Sequence, residues 1–296
     1  MQIAGHTMGT PHLKVKGAIE LFANLEFRGV EIVCRDDYRC GISPDTTEKK
    51  AKELVHFASS HGVRIVCLTP YITELSSSEF EVRKKDEEQM KQCIRLANYL
   101  NCKVVRTYGG SYFPQEGEKC YQEKKEIFIQ CLEELGKYAQ DLNVCLAIEN
   151  HFNTLTYDAT HTLQIVSEIN SPAVGILYDQ ANLGFIGAEN YEEAINTQIS
   201  RIVYVHVKDF IFKGENHQFR AGTSVTDVKD SERIVISRVL GQGILPWRNI
   251  LRLLKQKGYN EFLSLEYEKW RHPQNLPPAE IGMKEGAQFI KSFLVS

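Results

Sequence analysis

Val144-Cys145-Leu146-Ala147-Ile148-Glu149 is an apolar run that ends on a carboxylate. Three later runs follow the same plan: Val174-Gly175-Ile176-Leu177-Tyr178-Asp179, Ile202-Val203-Tyr204-Val205-His206-Val207 and Phe262-Leu263-Ser264-Leu265-Glu266. Each has the length and the near-continuous hydrophobicity of a strand buried on both faces. Such a strand gains nothing from finishing on a carboxylate, or from holding an imidazole, unless the end of the sheet is a working face. Taken singly, a strand-end acid reads as a helix cap or a lysine partner, and a strand histidine as a hydrogen-bonded core residue. Four in succession read as a ligand set. A hard ion such as Mg²⁺ or Mn²⁺ prefers oxygen ligands and tolerates one imidazole, and Co²⁺ and Zn²⁺ accept the same donors. Glu149, Asp179, His206 and Glu266 are therefore the candidate ligands for one divalent ion.

Outward from these runs, short apolar segments alternate with longer helical patterns along the whole chain. The expected strands are Gln2–Gly5, Gly29–Val33, Val63–Leu68, Lys103–Thr107, Val144–Glu149, Val174–Asp179, Ile202–Val207 and Phe262–Glu266. Between them lie helical periods such as Ala18, Ile19, Leu21, Phe22 and Leu25, and later Ile127, Phe128, Cys131, Leu132, Leu135 and Tyr138. Ser60-His61-Gly62 and Gln256-Lys257-Gly258 are helix stop signals placed just before strands. Parallel strands need crossover helices, and eight such units use up the length. The expectation is an α/β fold, a single (β/α)₈ TIM barrel spanning residues 1–296, with its site at the carboxyl ends of the strands. Side chains alternate along a strand, so Cys145, Ala147 and Glu149 share one face, as do Ile202, Tyr204 and His206. No glycine-rich fingerprint follows a strand; Gly241-Gln242-Gly243 follows a loop, so no nucleotide cofactor is expected. One long irregular segment, about 210–246, leaves the strand that holds His206 and reads as a lid or binding loop.

Composition narrows the function classes. Apolar residues are 43% and charged residues 25% of 296, the profile of a globular chain with a proper core. No apolar stretch approaches the ~20 residues of a membrane span, and Met1-Gln2-Ile3-Ala4-Gly5-His6 lacks the features of a signal peptide. A cytoplasmic protein with no membrane partner is expected. A net charge of −3 without a basic stripe argues against a nucleic-acid partner. The eight cysteines form no CxxC pair and are expected to be reduced, with no zinc–cysteine site.

Ala147-Ile148-Glu149-Asn150-His151, Tyr178-Asp179-Gln180-Ala181-Asn182 and His206-Val207-Lys208-Asp209 resemble strand ends of the xylose isomerase-like barrels. So do Gly241-Gln242-Gly243-Ile244-Leu245-Pro246-Trp247, Gly258-Tyr259 and Leu265-Glu266, while Gly29-Val30-Glu31 and Val105-Arg106 resemble the second and fourth strands. The resemblance implies that the family's metal quartet falls on Glu149, Asp179, His206 and Glu266. It also implies that Glu149 removes a proton beside a carbonyl and Glu266 returns one on the other face, as the two glutamates do in the family's epimerases. Such a C–H is very weakly acidic, so an ion must polarise the carbonyl and hold the enediolate charge. The implied activity is a metal-dependent isomerase or epimerase of a small sugar, sugar phosphate or sugar acid. An inosose-type dehydratase, a lyase, is the nearest rival, and an endonuclease IV-like phosphodiesterase is a more distant one. Relatives also suggest a homodimer or homotetramer.

The chain departs from the ketohexose 3-epimerase branch at three positions. That branch places His three residues after the Asp, Arg six after the strand-seven His and Glu six after the first Glu; here these are Asn182, Phe212 and Leu155. A free ketohexose fits less well for that reason. Lys208, two residues past His206, and Arg106 on strand four are the expected contacts to an enediolate, carboxylate or phosphate, unless each pairs with a neighbouring acid. His151 and Asn182 are placed on the rim. Trp247 could stack on a sugar but reads better as a core anchor, and His6 and Tyr108 are possible pocket walls.

Overall fold

In a computed structural model the eight expected strands close into a parallel barrel, ordered β1-β10-β7-β6-β5-β4-β3-β2 around the ring. Residues 1–185, 189–214 and 233–294 are described. The strands are β1 (Gln2–His6), β2 (Gly29–Val33), β3 (Arg64–Thr69), β4 (Val104–Thr107), β5 (Cys145–Glu149), β6 (Val174–Asp179), β7 (Ile202–Val207) and β10 (Phe262–Leu265). Around them run α1 (Val15–Asn24), α2 (Glu48–Ser60), α3 (Phe80–Tyr99), α4 (Gly117–Asp141), α5 (Ala159–Ile169), α6 (Gln180–Phe185), α7 (Tyr191–Gln198), α8 (Trp247–Gln256) and α9 (Ala279–Leu294). The chain between α2 and β3 turns at Gly62 (φ 72°), and that between α8 and β10 at Gly258 (φ 89°), left-handed positions where glycine carries no Cβ penalty. Among the described residues no helix is long and apolar enough to cross a membrane.

The barrel is plugged by Ala4, Val66, Cys67, Ala147, Leu177, Tyr204 and Phe262, while the larger apolar cluster lies between strands and helices. Strict alternation fails between β2 and β3, where the register shifts between Val30 and Glu31, and again between β6 and β7, with a consequence for the site. The β6–β7 register shifts between Ile176 and Leu177, so that Ile176 pairs with Ile202 but Leu177 pairs with Tyr204. Ile202 consequently joins the outer cluster, and Val203 packs on the plug in its place. The same shift brings Asp179 level with His206; unbroken pairing would have set it against Val205.

The segment expected to be irregular contains regular structure. Phe210-Ile211-Phe212 and Val235-Ile236 are apolar enough to pair, and β8 (Asp209–Phe212) and β9 (Val235–Arg238) form an antiparallel ribbon. Residues 215–232 of that segment lie outside the described residues. Its return to the barrel is pinned by Asp209, whose carboxylate accepts from the backbone N–H of Gly241 (3.0 Å), Gly243 (3.0 Å) and Leu245 (3.3 Å). A Cβ on Gly243 would stand 2.0 Å from Asp209 Oδ1, which is why glycine is needed there. All eight cysteines are free.

Candidate functional site

Glu149 and Asp179 are the last residues of β5 and β6, His206 is the penultimate residue of β7, and Glu266 follows β10 with its N–H on Val207 O (3.2 Å). All four are buried, and one ligand atom from each lies within 4.8 Å of every other. His206 Nδ1 is 3.1 Å from Glu149 Oε1, 3.4 Å from Glu266 Oε2 and 3.7 Å from Asp179 Oδ2. The four residues read from the sequence therefore converge on one point at the carboxyl end of the barrel.

Two cations occupy the flanks. Arg106 donates from Nε (2.8 Å) and Nη2 to Glu149 Oε2, and from Nη1 to Pro70 O (3.2 Å). Lys208 Nζ lies 2.6 Å from Glu266 Oε2, 3.0 Å from Asp179 Oδ2 and 4.0 Å from Glu268 Oε1. Both expected anion contacts are thus engaged with protein carboxylates, though both also line the cavity above. Burial raises a carboxyl, but Arg106 and His206 together hold Glu149 well below the usual range. Lys208 and His206 do the same for Glu266. Against the cost of burial, Glu31 and Glu266 keep the His206 imidazolium charged far above its ordinary pKa.

Asn182, in the first turn of α6, donates from Nδ2 to Asn150 O (2.9 Å) and Glu149 Oε1 (3.4 Å), while its backbone N–H binds Asp179 Oδ1 (2.9 Å). It braces two ligand residues as well as facing the cavity. His151 sits over Tyr108 with ring centres 4.9 Å apart and hydrogen bonds through Nδ1 to Phe152 O (2.7 Å). Burial holds its pKa down to about 4, so the imidazole is neutral near pH 7. The loop beyond it is tied in by Thr156, whose hydroxyl donates to Glu149 O (2.7 Å). Trp247 is core: it is buried and its indole N–H holds Lys208 O (3.0 Å). His6 is fully buried beside Glu31 rather than in the cavity, whereas Tyr108 does form part of the wall.

The cavity holds about 430 Å³, the lower range for a small-molecule pocket. Tyr71, Tyr108, Phe113, Phe152 and Phe185 supply an aromatic wall over a floor of Glu149, Lys208 and Glu266. Sequence reading missed four members of this region. Glu268 shares the strand-end alternation of Glu266, and its carboxyl is raised by burial and by Glu266. Tyr71 and Arg271 come from loops with no local pattern to flag them. Glu31 is an acid inside Gly29-Val30-Glu31-Ile32-Val33, the same signal that exposed the other four.

The donor set suits a divalent cation. Glu149, Asp179, Glu266 and Glu268 gather around Lys208, His206 and Arg106, and the buried Asp179 Oδ2 accepts no well-angled hydrogen bond although Lys208 Nζ is 3.0 Å off. Carboxylates in this surplus call for further positive charge.

A sequence profile described as xylose isomerase-like TIM barrel matches residues 19–293. The chain belongs to that family. Among its xylose isomerase-like relatives is an inosose dehydratase of Clostridium botulinum, 25% identical over 232 residues, covering 72% of this chain and 74% of the relative. Solved structures that share the fold include the following two. A D-psicose 3-epimerase determined in the presence of D-fructose superposes with a TM-score of 0.76 at 15% identity and full coverage of both chains. The IOLI protein, solved with a bound zinc atom, gives 0.75 at 19% identity over 100% of this chain and 97% of that one.

Proposed function

We propose that this protein is a divalent-metal-dependent enzyme that abstracts a proton next to the carbonyl of a small polyhydroxylated compound and returns it, as an isomerase or epimerase. One observation carries the reading: four ligand-type side chains from β5, β6, β7 and the end of β10 meet within 4.8 Å, and two of them, Glu149 and Glu266, line a sugar-sized cavity. A divalent ion there, Mn²⁺ or Mg²⁺ foremost and Co²⁺ or Zn²⁺ as alternatives, supplies Lewis acidity to a carbonyl and compensates enediolate charge. Glu149 and Glu266 are the proton carriers, entering the cavity from staves separated by β6 and β7. Both rest as carboxylates, so each is ready to accept a proton at neutral pH but is a weak base. The driving force must then come from acidifying the C–H rather than from the base. Lys208 stands beside Glu266 to steady developing oxyanion charge, Arg106 holds one oxygen of Glu149, and Asn182 and His151 contact substrate hydroxyls at the rim.

Dehydration is a second reading with its own support. The inosose dehydratase relative spans most of the chain, and Asn182, Phe212 and Leu155 replace the residues that mark ketohexose 3-epimerases. The first step is shared; only the fate of the enediolate differs. Incubation with Mn²⁺ in deuterated water, across ketoses, tetronates and inososes, separates them by proton NMR and mass. Deuterium gain without mass loss supports isomerisation, and loss of water supports the lyase. Glu149→Gln is expected to abolish exchange in a folded protein, and exchange at the native rate would remove Glu149 from the role of base.

A further inference from the structure

Beneath the four ligand atoms lies a further carboxylate that the proposed chemistry leaves unused. Glu31 in β2 is fully buried, and four side chains converge on it. Ser264 Oγ donates to Oε2 (2.5 Å), the Thr69 hydroxyl donates to Oε1, His206 Nε2 is 3.0 and 3.2 Å from the two oxygens, and His6 Nε2 is 3.5 Å from Oε1. All five residues sit on barrel strands. His6 is the register partner of Glu31, and Ser264 that of His206.

His6, Glu31 and His206 are themselves close enough to hold an ion. Proton placement argues otherwise. The backbone N–H of Met8 donates to His6 Nδ1 (3.1 Å), so a neutral His6 carries its proton on Nε2, the atom facing Glu31. The hydroxyls of Ser264 and Thr69 also point their hydrogens at this carboxylate. A carboxylate surrounded by O–H and N–H groups serves as an acceptor, and His6 could become a ligand only by moving its proton against the Met8 N–H.

We infer that Glu31 is a positioning residue, which grips the Nε2–H of His206 and so turns Nδ1 toward Glu149, Asp179 and Glu266 as the nitrogen that binds the divalent ion. The inference rests on the metal reading above. A ring flip about the last side-chain torsion would put Cδ2 and Cε1 where Nδ1 and Nε2 stand, and a carboxylate that accepts from Nε2–H selects against it. Loss of such an outer partner weakens metal binding by roughly 10–100-fold.

The test begins with unmodified protein, labelled with ¹⁵N-histidine and loaded with ¹¹³Cd²⁺. Cadmium coupling at a histidine Nδ1, with the directly bonded proton on Nε2 of the same ring, is the expected result; coupling at Nε2 overturns the inference. Glu31→Gln, checked for fold by circular dichroism, is expected to raise the Mn²⁺ Kd by roughly 10–100-fold in electron paramagnetic resonance titrations, with Ser264→Ala giving a smaller rise of the same sign. An unchanged Kd in folded Glu31→Gln overturns the clamp while leaving the metal site standing. Failure of the unmodified protein to bind either ion overturns both. Should Glu31→Gln not fold, the cadmium spectrum still decides.

Discussion

Replacing Arg106 with methionine separates the structural debt of the site from its chemistry. Arg106 is 5% exposed and spends three N–H groups on the protein, two on Glu149 and one on Pro70 O. Methionine keeps much of the stem but leaves the Glu149 carboxylate, 1% exposed, without its principal cation and a loop carbonyl without a donor. Removing one partner of a buried ion pair typically costs about 3–5 kcal/mol, because the other charge stays behind. At ~2–3 °C per kcal/mol for a chain of this size, the melting temperature should fall by roughly 6–15 °C in EDTA. An ion at the quartet compensates the same carboxylate, so the gap between variant and parent should narrow in saturating Mn²⁺. Thermal unfolding by circular dichroism, with and without the ion, measures both quantities. A melting temperature equal to the parent's in EDTA would refute the ion-pair argument, and a gap indifferent to Mn²⁺ would refute the link between Glu149 and the metal.

Lys208→Met removes a cation that competes with the ion for Asp179 and Glu266. Two unit charges ~4 Å apart repel by about 4 kcal/mol at an effective dielectric near 20, so Mn²⁺ should bind more tightly while proton exchange slows at least ~100-fold; weaker binding by calorimetry would count against this. Gly109→Ala places a Cβ 1.8 Å from Thr156 Oγ1, the hydroxyl that holds Glu149 O. A loss of about 2 kcal/mol in urea unfolding and weaker Mn²⁺ binding are expected together, and a loss of neither would show that the loop yields freely. Burial raises the half-buried Glu189 carboxyl to about 7, with Ala159 N–H opposing. Its folded pKa lies above the unfolded value near 4.5, so its contribution is full below that value and declines as pH rises through about 7. Glu189→Gln should therefore gain on the parent by about 1–2 kcal/mol between pH 5 and pH 8, after allowing for solvent screening; parallel stability curves would contradict it.

What the sequence showed of this fold was its period. Apolar runs of strand length, separated by helical repeats, placed all eight barrel strands to within a residue, because burial on both faces leaves an unbroken hydrophobic signal. The quartet was legible for the complementary reason, since an ionisable side chain interrupts that signal. Glu31 interrupts it too, but lies mid-strand rather than at the working end, where a single acid carries no ligand signal. Asp179 beside His206 depends on a register shift, which is a property of two strands together and leaves no trace in either alone. The β8–β9 ribbon was hidden because its strands of four residues each lie far apart in sequence and join no barrel pattern. Arg106 and Lys208 line the cavity; that each also faces a carboxylate of Glu149 or Glu266 follows from side-chain reach across neighbouring staves, as between partners Arg106 and Ala147.

These placements bear on the choice between reactions. Glu149, Asp179, His206 and Glu266, the floor of the cavity and the Glu31 cluster all belong to barrel strands or the residue directly after one, where register fixes geometry. The groups that would distinguish returning a proton from expelling hydroxide, namely His151, Asn182, Tyr71 and Glu268, stand on the loops and first turns above. Proton abstraction needs only the rigid part, and elimination needs in addition an acid at the leaving oxygen. Glu268, whose carboxyl is raised by burial and by Glu266, is the candidate acid there, whereas neutral His151 could only accept or share a hydrogen bond. One barrel floor can therefore serve both outcomes, and the reaction is decided a layer higher than the residues that make it possible.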